Sequence, residues 1–92
     1  MLLVVTYDVS DDRRRNRLAK KLEDYGLRVQ YSVFECLLDD ERAGEMVEKL
    51  KEFLSEDDED SLRVYAICEA CRKRARIHGS GALTADPEVY IV

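Results

Sequence analysis

Near its start the chain carries Leu2, Leu3, Val4 and Val5 in one unbroken apolar run. A strand sends successive side chains to opposite faces, so such a run needs cover on both sides of its sheet. Residues 28–38 read as a second strand, rich in β-branched and aromatic side chains (Val29, Tyr31, Val33, Phe34). Residues 62–68 read as a third, and both again place apolar groups on both faces. Only two helical patterns are available to cover them. In the first, Ser10 is the expected N-cap and Asp11 and Asp12 fill the first turn. Leu18, Leu22 and Tyr25 recur at helical spacing, and Gly26 stops the helix. The second, residues 40–54, carries a wide apolar stripe of Ala43, Met46, Val47, Leu50, Phe53 and Leu54.

The remaining segments are weaker signals. The acidic run 55–60 reads as a loop, residues 76–78 as a short fourth strand, residues 79–81 as a turn and residues 89–92 as a last apolar strand. The order β-α-β followed by α-β-β is that of an α+β, ferredoxin-like βαββαβ domain, an antiparallel sheet with two helices on one face. Two helices cover one face only. The second face is therefore expected to be buried in a homodimer packed sheet to sheet. In that arrangement the tail, residues 80–92, is exchanged with the partner.

Ninety-two residues make one domain, near the lower end of what buries a full core unaided. With 46% hydrophobic and 38% charged residues the chain is expected to be globular rather than disordered. No apolar run approaches the roughly 20 residues that span a bilayer. The start has no basic n-region or small-residue cleavage site, so a cytoplasmic protein without a signal peptide is expected. An odd count of three cysteines fits a reducing compartment. Cys68-Glu69-Ala70-Cys71 has no second pair to complete a zinc site, and its thiols are expected to be idle. His78, the only histidine, is expected to be an ordinary surface or packing residue.

A net charge of −5 argues against nucleic acid, but the charge is segregated. Arg13, Arg14, Arg15, Arg17, Lys20 and Lys21 follow one strand end, four more cations lie in 72–76, and five acids crowd 56–60. Patches decide what a surface attracts. Asp8, where the first strand hands over to the first helix, suits a hard metal ion such as Mg²⁺, which needs only one or two protein carboxylates. It equally suits a turn or a helix cap. One such residue per chain is too few, and two facing each other across a dimer axis would supply the pair. The arginines suit bidentate phosphate contact, with Arg14 and Arg15 on the flanks of the apolar stripe and able to reach toward Asp8. The alternative is a solvated helix face paired locally to Asp11, Asp12, Glu23 and Asp24. Tyr7, Tyr31 and Phe34 are aromatics able to stack on bases, with Tyr31 better read as core.

Several blocks lie in order along the first two-thirds of the chain. They are Tyr7-Asp8-Val9 with Asp11-Asp12, Arg14-Arg15-Asn16-Arg17-Leu18, Tyr25-Gly26, Val29-Gln30-Tyr31-Ser32-Val33-Phe34-Glu35-Cys36 and Asp60-Ser61-Leu62-Arg63-Val64-Tyr65. In these the chain resembles the CRISPR-associated protein two family, the small adaptation subunit known as a metal-dependent endoribonuclease. The resemblance implies a ferredoxin-like homodimer with one Asp8 from each subunit binding Mg²⁺ at the interface. It also implies that Tyr7, Arg15, Arg17, Arg28 and Phe34 lie at or near a nucleic-acid site. The implied activity is cleavage of single-stranded RNA, and in some members double-stranded DNA. The implied partner is the integrase, CRISPR-associated protein one, with which the dimer supports spacer capture without needing its own nuclease activity. A non-catalytic DNA-binding scaffold is therefore the alternative function.

Overall fold

In the computed structural model, which describes residues 1–85, the apolar opening run becomes an inner strand of a four-stranded sheet. This strand, β1 (Leu2–Asp8), pairs antiparallel with β3 (Val33–Leu37) on one side and β4 (Ser61–Ile67) on the other. An edge strand, β2 (Leu27–Gln30), completes the order β2-β3-β1-β4. The helices α1 (Asp12–Leu22) and α2 (Asp40–Leu50) follow β1 and β3, which is the ferredoxin-like α+β connectivity expected.

Strands β1 and β4 fall where the sequence placed them, and the other two arise differently. Residues 28–38 are not one strand, because an unbroken strand there would outrun the seven-residue β1 beside it. The chain folds back at Tyr31 and Ser32, with a bulge between Arg28 and Gln30. Residues 76–78 are not a strand either. After β4 the chain makes a short helix, α3 (Glu69–Arg74), and then an irregular segment to residue 85. Tyr31, expected in the core, sits at the hairpin turn and is 96% exposed.

Both long helices begin on aspartate caps. Asp11, not Ser10, caps α1, its carboxylate accepting the Arg14 N–H at 2.9 Å. Asp39 caps α2 through the Arg42 N–H at 2.8 Å. The second helix ends in a 3₁₀ turn, Lys51–Phe53, close to its predicted limit.

The core lies between the sheet and these helices. Leu3, Val5 and Tyr7 of β1 and Phe34 and Cys36 of β3 pack with Leu18, Leu22, Met46 and Leu50. Burial pushes the Cys36 thiol up to about 11, with the Glu35 charge adding to it. Gly26 is required beyond its role in ending the helix, because a Cβ there would collide with Glu35 O and with Cys36.

Register puts Val4, Thr6 and Asp8 on the opposite face, in line with Tyr65, Arg63 and Ser61 of β4. The segment after α3 crosses part of this face. Thr84 N–H donates to Glu35 Oε1 at 2.9 Å, and the Arg72 guanidinium donates to Thr84 O at 3.1 Å. Elsewhere the face stays open, with Leu27 63% and Tyr65 49% exposed. Of the tail expected to be exchanged with a partner, residues 80–85 are irregular and bond to this chain's own Glu35 through Thr84, while residues 86–92, with the strand predicted at 89–92, lie outside the described residues. No helix among the described residues is long and apolar enough to cross a membrane.

Candidate metal and nucleic-acid site

Asp8 ends β1 opposite Ser61 and is exposed on the face turned away from the helices. Its carboxylate is a hard oxygen donor of the type Mg²⁺ prefers, and its exposure leaves it open to a second carboxylate from outside the chain. Among the described residues, no group of three or more His, Cys, Asp or Glu side chains is placed to hold a metal ion. One chain thus offers a single carboxylate, which fits a shared magnesium site and not a self-contained one.

The hairpin turn and the start of α1 gather at the same end of the sheet. Tyr7 N–H donates to Ser32 O at 3.2 Å, its hydroxyl donates to Tyr31 O at 3.2 Å, and Asp60 accepts the Ser10 N–H at 3.4 Å. Asp8 therefore stands among three loops, after β1, before β4 and between β2 and β3.

Arg14 does not reach toward Asp8. Its guanidinium donates to Asp58 at 2.6 Å and to Asp60 at 3.1 Å, with Asp11 at 3.8 Å. The Asp60 side chain is fully enclosed and also accepts the Ser55 N–H at 2.9 Å. That N–H, above all, holds the Asp60 carboxyl below its usual range; Arg14 and the Ser10 N–H assist and burial opposes. Asp58 in turn raises Arg14. The acidic run read as a plain loop is thus fastened onto the basic helix. Asp58 and Asp60 were missed as partners because they lie 44 and 46 residues from Arg14. The complementary charge of the two runs was the available signal.

Arg15 also turns inward. It donates to Val9 O at 3.1 Å and Ser10 O at 3.4 Å and pairs with Asp12, so it closes the turn after Asp8. Asp11 and Asp12 are both occupied by these roles. The Arg14 N–H foremost holds the Asp11 carboxyl below its usual range.

Tyr7 and Phe34 are buried and offer no open face for a base to stack on. Their effect is on Arg28, whose guanidinium lies 5.3 Å from the Phe34 ring centroid and donates to the Tyr7 hydroxyl at 3.2 Å. Arg28 itself is exposed beside the hairpin turn. Arg17 is exposed, and with Arg13, Asn16 and Lys20 it lines an open groove along α1. The sequence placed Arg13 and Lys20 in the cationic run without assigning them to the site; their exposure makes them reachable.

A ferredoxin-like domain with a bare carboxylate at the end of an inner strand and free cations on the next helix is suited to phosphate-bearing ligands. Residues 1–75 match the family model described as CRISPR associated protein Cas2, and the chain belongs to that family. It is 39% identical over 92 residues to "CRISPR-associated endoribonuclease Cas2 3" of Chloroflexus aurantiacus, covering 100% of this chain and 98% of that protein. Among solved structures it is similar to Streptococcus pyogenes Cas2 at pH 6.5, with a TM-score of 0.73 and 33% identity over 86% of this chain and 100% of that one. It also resembles a chain of a structure titled "Partial Cas6-RT-Cas1--Cas2 complex", with a TM-score of 0.71 and 26% identity, covering 83% of this chain and 88% of that one. The family read from the Gln30-Tyr31-Ser32-Val33-Phe34-Glu35 block is thereby shown.

Proposed function

We propose that this chain is a Mg²⁺-dependent endoribonuclease subunit of a CRISPR adaptation system, acting in the cytoplasm as a homodimer. The observation that carries this reading is Asp8, exposed at the end of an inner strand on the sheet face that the helices leave uncovered. Two chains facing each other through that face would bring their Asp8 carboxylates together as the magnesium ligands. Bound there, magnesium supplies Lewis-acid activation of water and of a phosphate oxygen. Arg17, Arg13 and Lys20 hold the phosphate backbone, and Arg28, kept in place by Tyr7 and Phe34, contacts the strand beside the hairpin turn. Arg15 keeps the Asp8–α1 turn closed. The endoribonuclease name carried by the Chloroflexus relative supports the activity. Single-stranded RNA is the proposed substrate, with double-stranded DNA as a second.

The test compares wild type with Asp8→Ala on both substrates, with Mg²⁺ and after chelation. Cleavage should depend on added Mg²⁺ and be lost in Asp8→Ala. A variant that cuts at the wild-type rate overturns the reading.

A second reading is favoured by the balance of charge along α1, where Arg13, Arg17 and Lys20 line one open groove with only Asp12 among them. In it the dimer binds duplex DNA as a scaffold beside the integrase, CRISPR-associated protein one, and the solved complex naming Cas1 with Cas2 supports that partner. Reversing Arg13 and Arg17 to Glu should then stop spacer acquisition while Asp8→Ala leaves it intact.

A further inference from the structure

We infer that Tyr31 stacks on an unpaired base of the bound strand and so gives this site a preference for single-stranded nucleic acid. The inference rests on the nucleic-acid reading of the site and concerns the part of the ligand that the cations leave unread. Arg13, Arg17, Lys20 and Arg28 are exposed and suit phosphate, which every strand carries whether paired or not. A base outside a duplex offers an open ring face as well, and an exposed aromatic side chain is the group that takes it up.

One aromatic is free for that role at the Asp8 end of the sheet. Tyr7 and Phe34 are 5% and 0% exposed, with ring centroids 6.3 Å apart inside the core. Tyr31 is 96% exposed at the hairpin turn between β2 and β3. The other aromatic exposed among the described residues, Tyr65, is paired with Val4 in the middle of β1, away from that end. Nothing in the local fold calls for a ring at this turn. Tight hairpin turns favour Gly, Asn or Asp, and a ring left in water forgoes the burial that Tyr7 and Phe34 obtain.

Backbone bonds fix where the ring stands. β1 and β3 pair as far as Thr6 with Val33, and the next step is held by the Tyr7 N–H donating to Ser32 O at 3.2 Å. One residue further, the same register comes to Asp8 and Tyr31, so the turn backbone stands level with the proposed metal ligand. The Tyr7 hydroxyl donates to Tyr31 O at 3.2 Å and accepts from the Arg28 guanidinium at 3.2 Å. One buried side chain thus holds a base-stacking residue and a phosphate-binding one on the same frame. Arg28, Gln30, Tyr31 and Ser32 share the lining of an open cleft along the hairpin, where polar groups flank the ring. A duplex keeps its bases stacked on one another and presents no such face along its length.

The experiment measures binding by full-length protein without divalent metal, so that cleavage does not intrude. The probes are a short unstructured RNA, the same RNA with abasic residues, and a DNA duplex of equal length. Tyr31→Ala should weaken binding of the intact RNA by about 5- to 150-fold, the effect of removing one stacked base, and Tyr31→Phe should restore it. Abasic RNA and duplex DNA should not distinguish Tyr31→Ala from wild type. The salt dependence of RNA binding should also be the same for both, because no phosphate contact is removed. The chain has no tryptophan, so Tyr31→Trp adds a single emitter that intact RNA should quench and abasic RNA should not. Equal losses on RNA and duplex, or no loss on either, overturn the inference. So does a shift of Tyr31→Ala to monomer in sedimentation, which assigns the ring to a contact between chains. Wild type that binds the intact RNA but cuts it no faster than Asp8→Ala sinks the catalytic reading and leaves this one standing, whereas wild type that binds no RNA removes both.

Discussion

The face of the sheet beneath α1 and α2 and the face behind it draw on the same strands but treat their residues differently. Beneath the helices, Val5, Phe34 and Cys36 are sealed to zero exposure, and among the described residues no charged residue is buried with them. Behind, the alternating positions of β1 carry Val4, Thr6 and Asp8, lined up with Tyr65, Arg63 and Ser61. The first face is closed by this chain alone. The second mixes an exposed aromatic with charged groups and is only partly crossed by the segment held at Thr84. A fold this small cannot cover two sheet faces with two helices, and the uncovered one is where Asp8 emerges.

The largest effect expected from a single change belongs to the closed face. Phe34→Ala should cost about 3–5 kcal/mol, a large share of the stability of a domain this size, measured by urea denaturation. It should also release Arg28 from its perch. A loss below about 1 kcal/mol would mean that this face is not the core of the molecule.

Next comes the bond set that ties the acidic run to the helix side. Asp60→Asn should lower the melting temperature and loosen residues 55–60, which hydrogen exchange would detect. Asp11 and Asp60 both have depressed pKa values, so their stabilisation is fully present above the ordinary carboxylate value and is lost as pH falls through their lower folded values. Acid titration of wild type against Asp60→Asn should show the variant's curve flatter on the acid side. Equal slopes would separate Asp60 from acid denaturation. At the other end of the scale Cys36, raised to about 11, stabilises the fold below the ordinary thiol value. That contribution is lost as pH rises through about 11.

The open face should respond in the opposite sense. Tyr65→Glu puts a charge on a half-exposed position and should change stability by less than about 0.5 kcal/mol. Sedimentation should nevertheless show a shift to monomer. A variant that dimerises like wild type would move the proposed dimer contact off this face.

Smallest is Arg17→Ala, which should leave folding untouched and reduce the salt dependence of nucleic-acid binding by about one contact. Arg14→Ala sharpens the contrast, since its guanidinium is engaged by Asp58 and Asp60. It should disturb stability more than binding.

Much of this was legible in the residues. The apolar run at Leu2–Val5, the helical stripe of Leu18 and Leu22 and that of Met46 and Leu50 are local patterns with one reading each. The hairpin at Tyr31 and Ser32 was not legible, because a period of two looks the same in one long strand and in two short ones. Its turn lacks the Asn-Gly or Asp-Gly signal that would have announced it. The fates of Arg14 and Arg15 were hidden for another reason. Adjacent in sequence and alike in chemistry, they turn toward different partners, one to acids more than forty residues away and one to the carbonyls of its own turn.

By itself, then, the order of residues determined the α+β class, the family and the position of Asp8 at a strand end, since each depends on neighbours along the chain or on short blocks. Tertiary structure alone decided which cations stay free, that Tyr7 and Phe34 serve Arg28 from within the core, and that Tyr31 stands exposed at a turn. Those outcomes depend on which segments come together in space, and hydrogen bonds over such distances in sequence leave no periodicity to read.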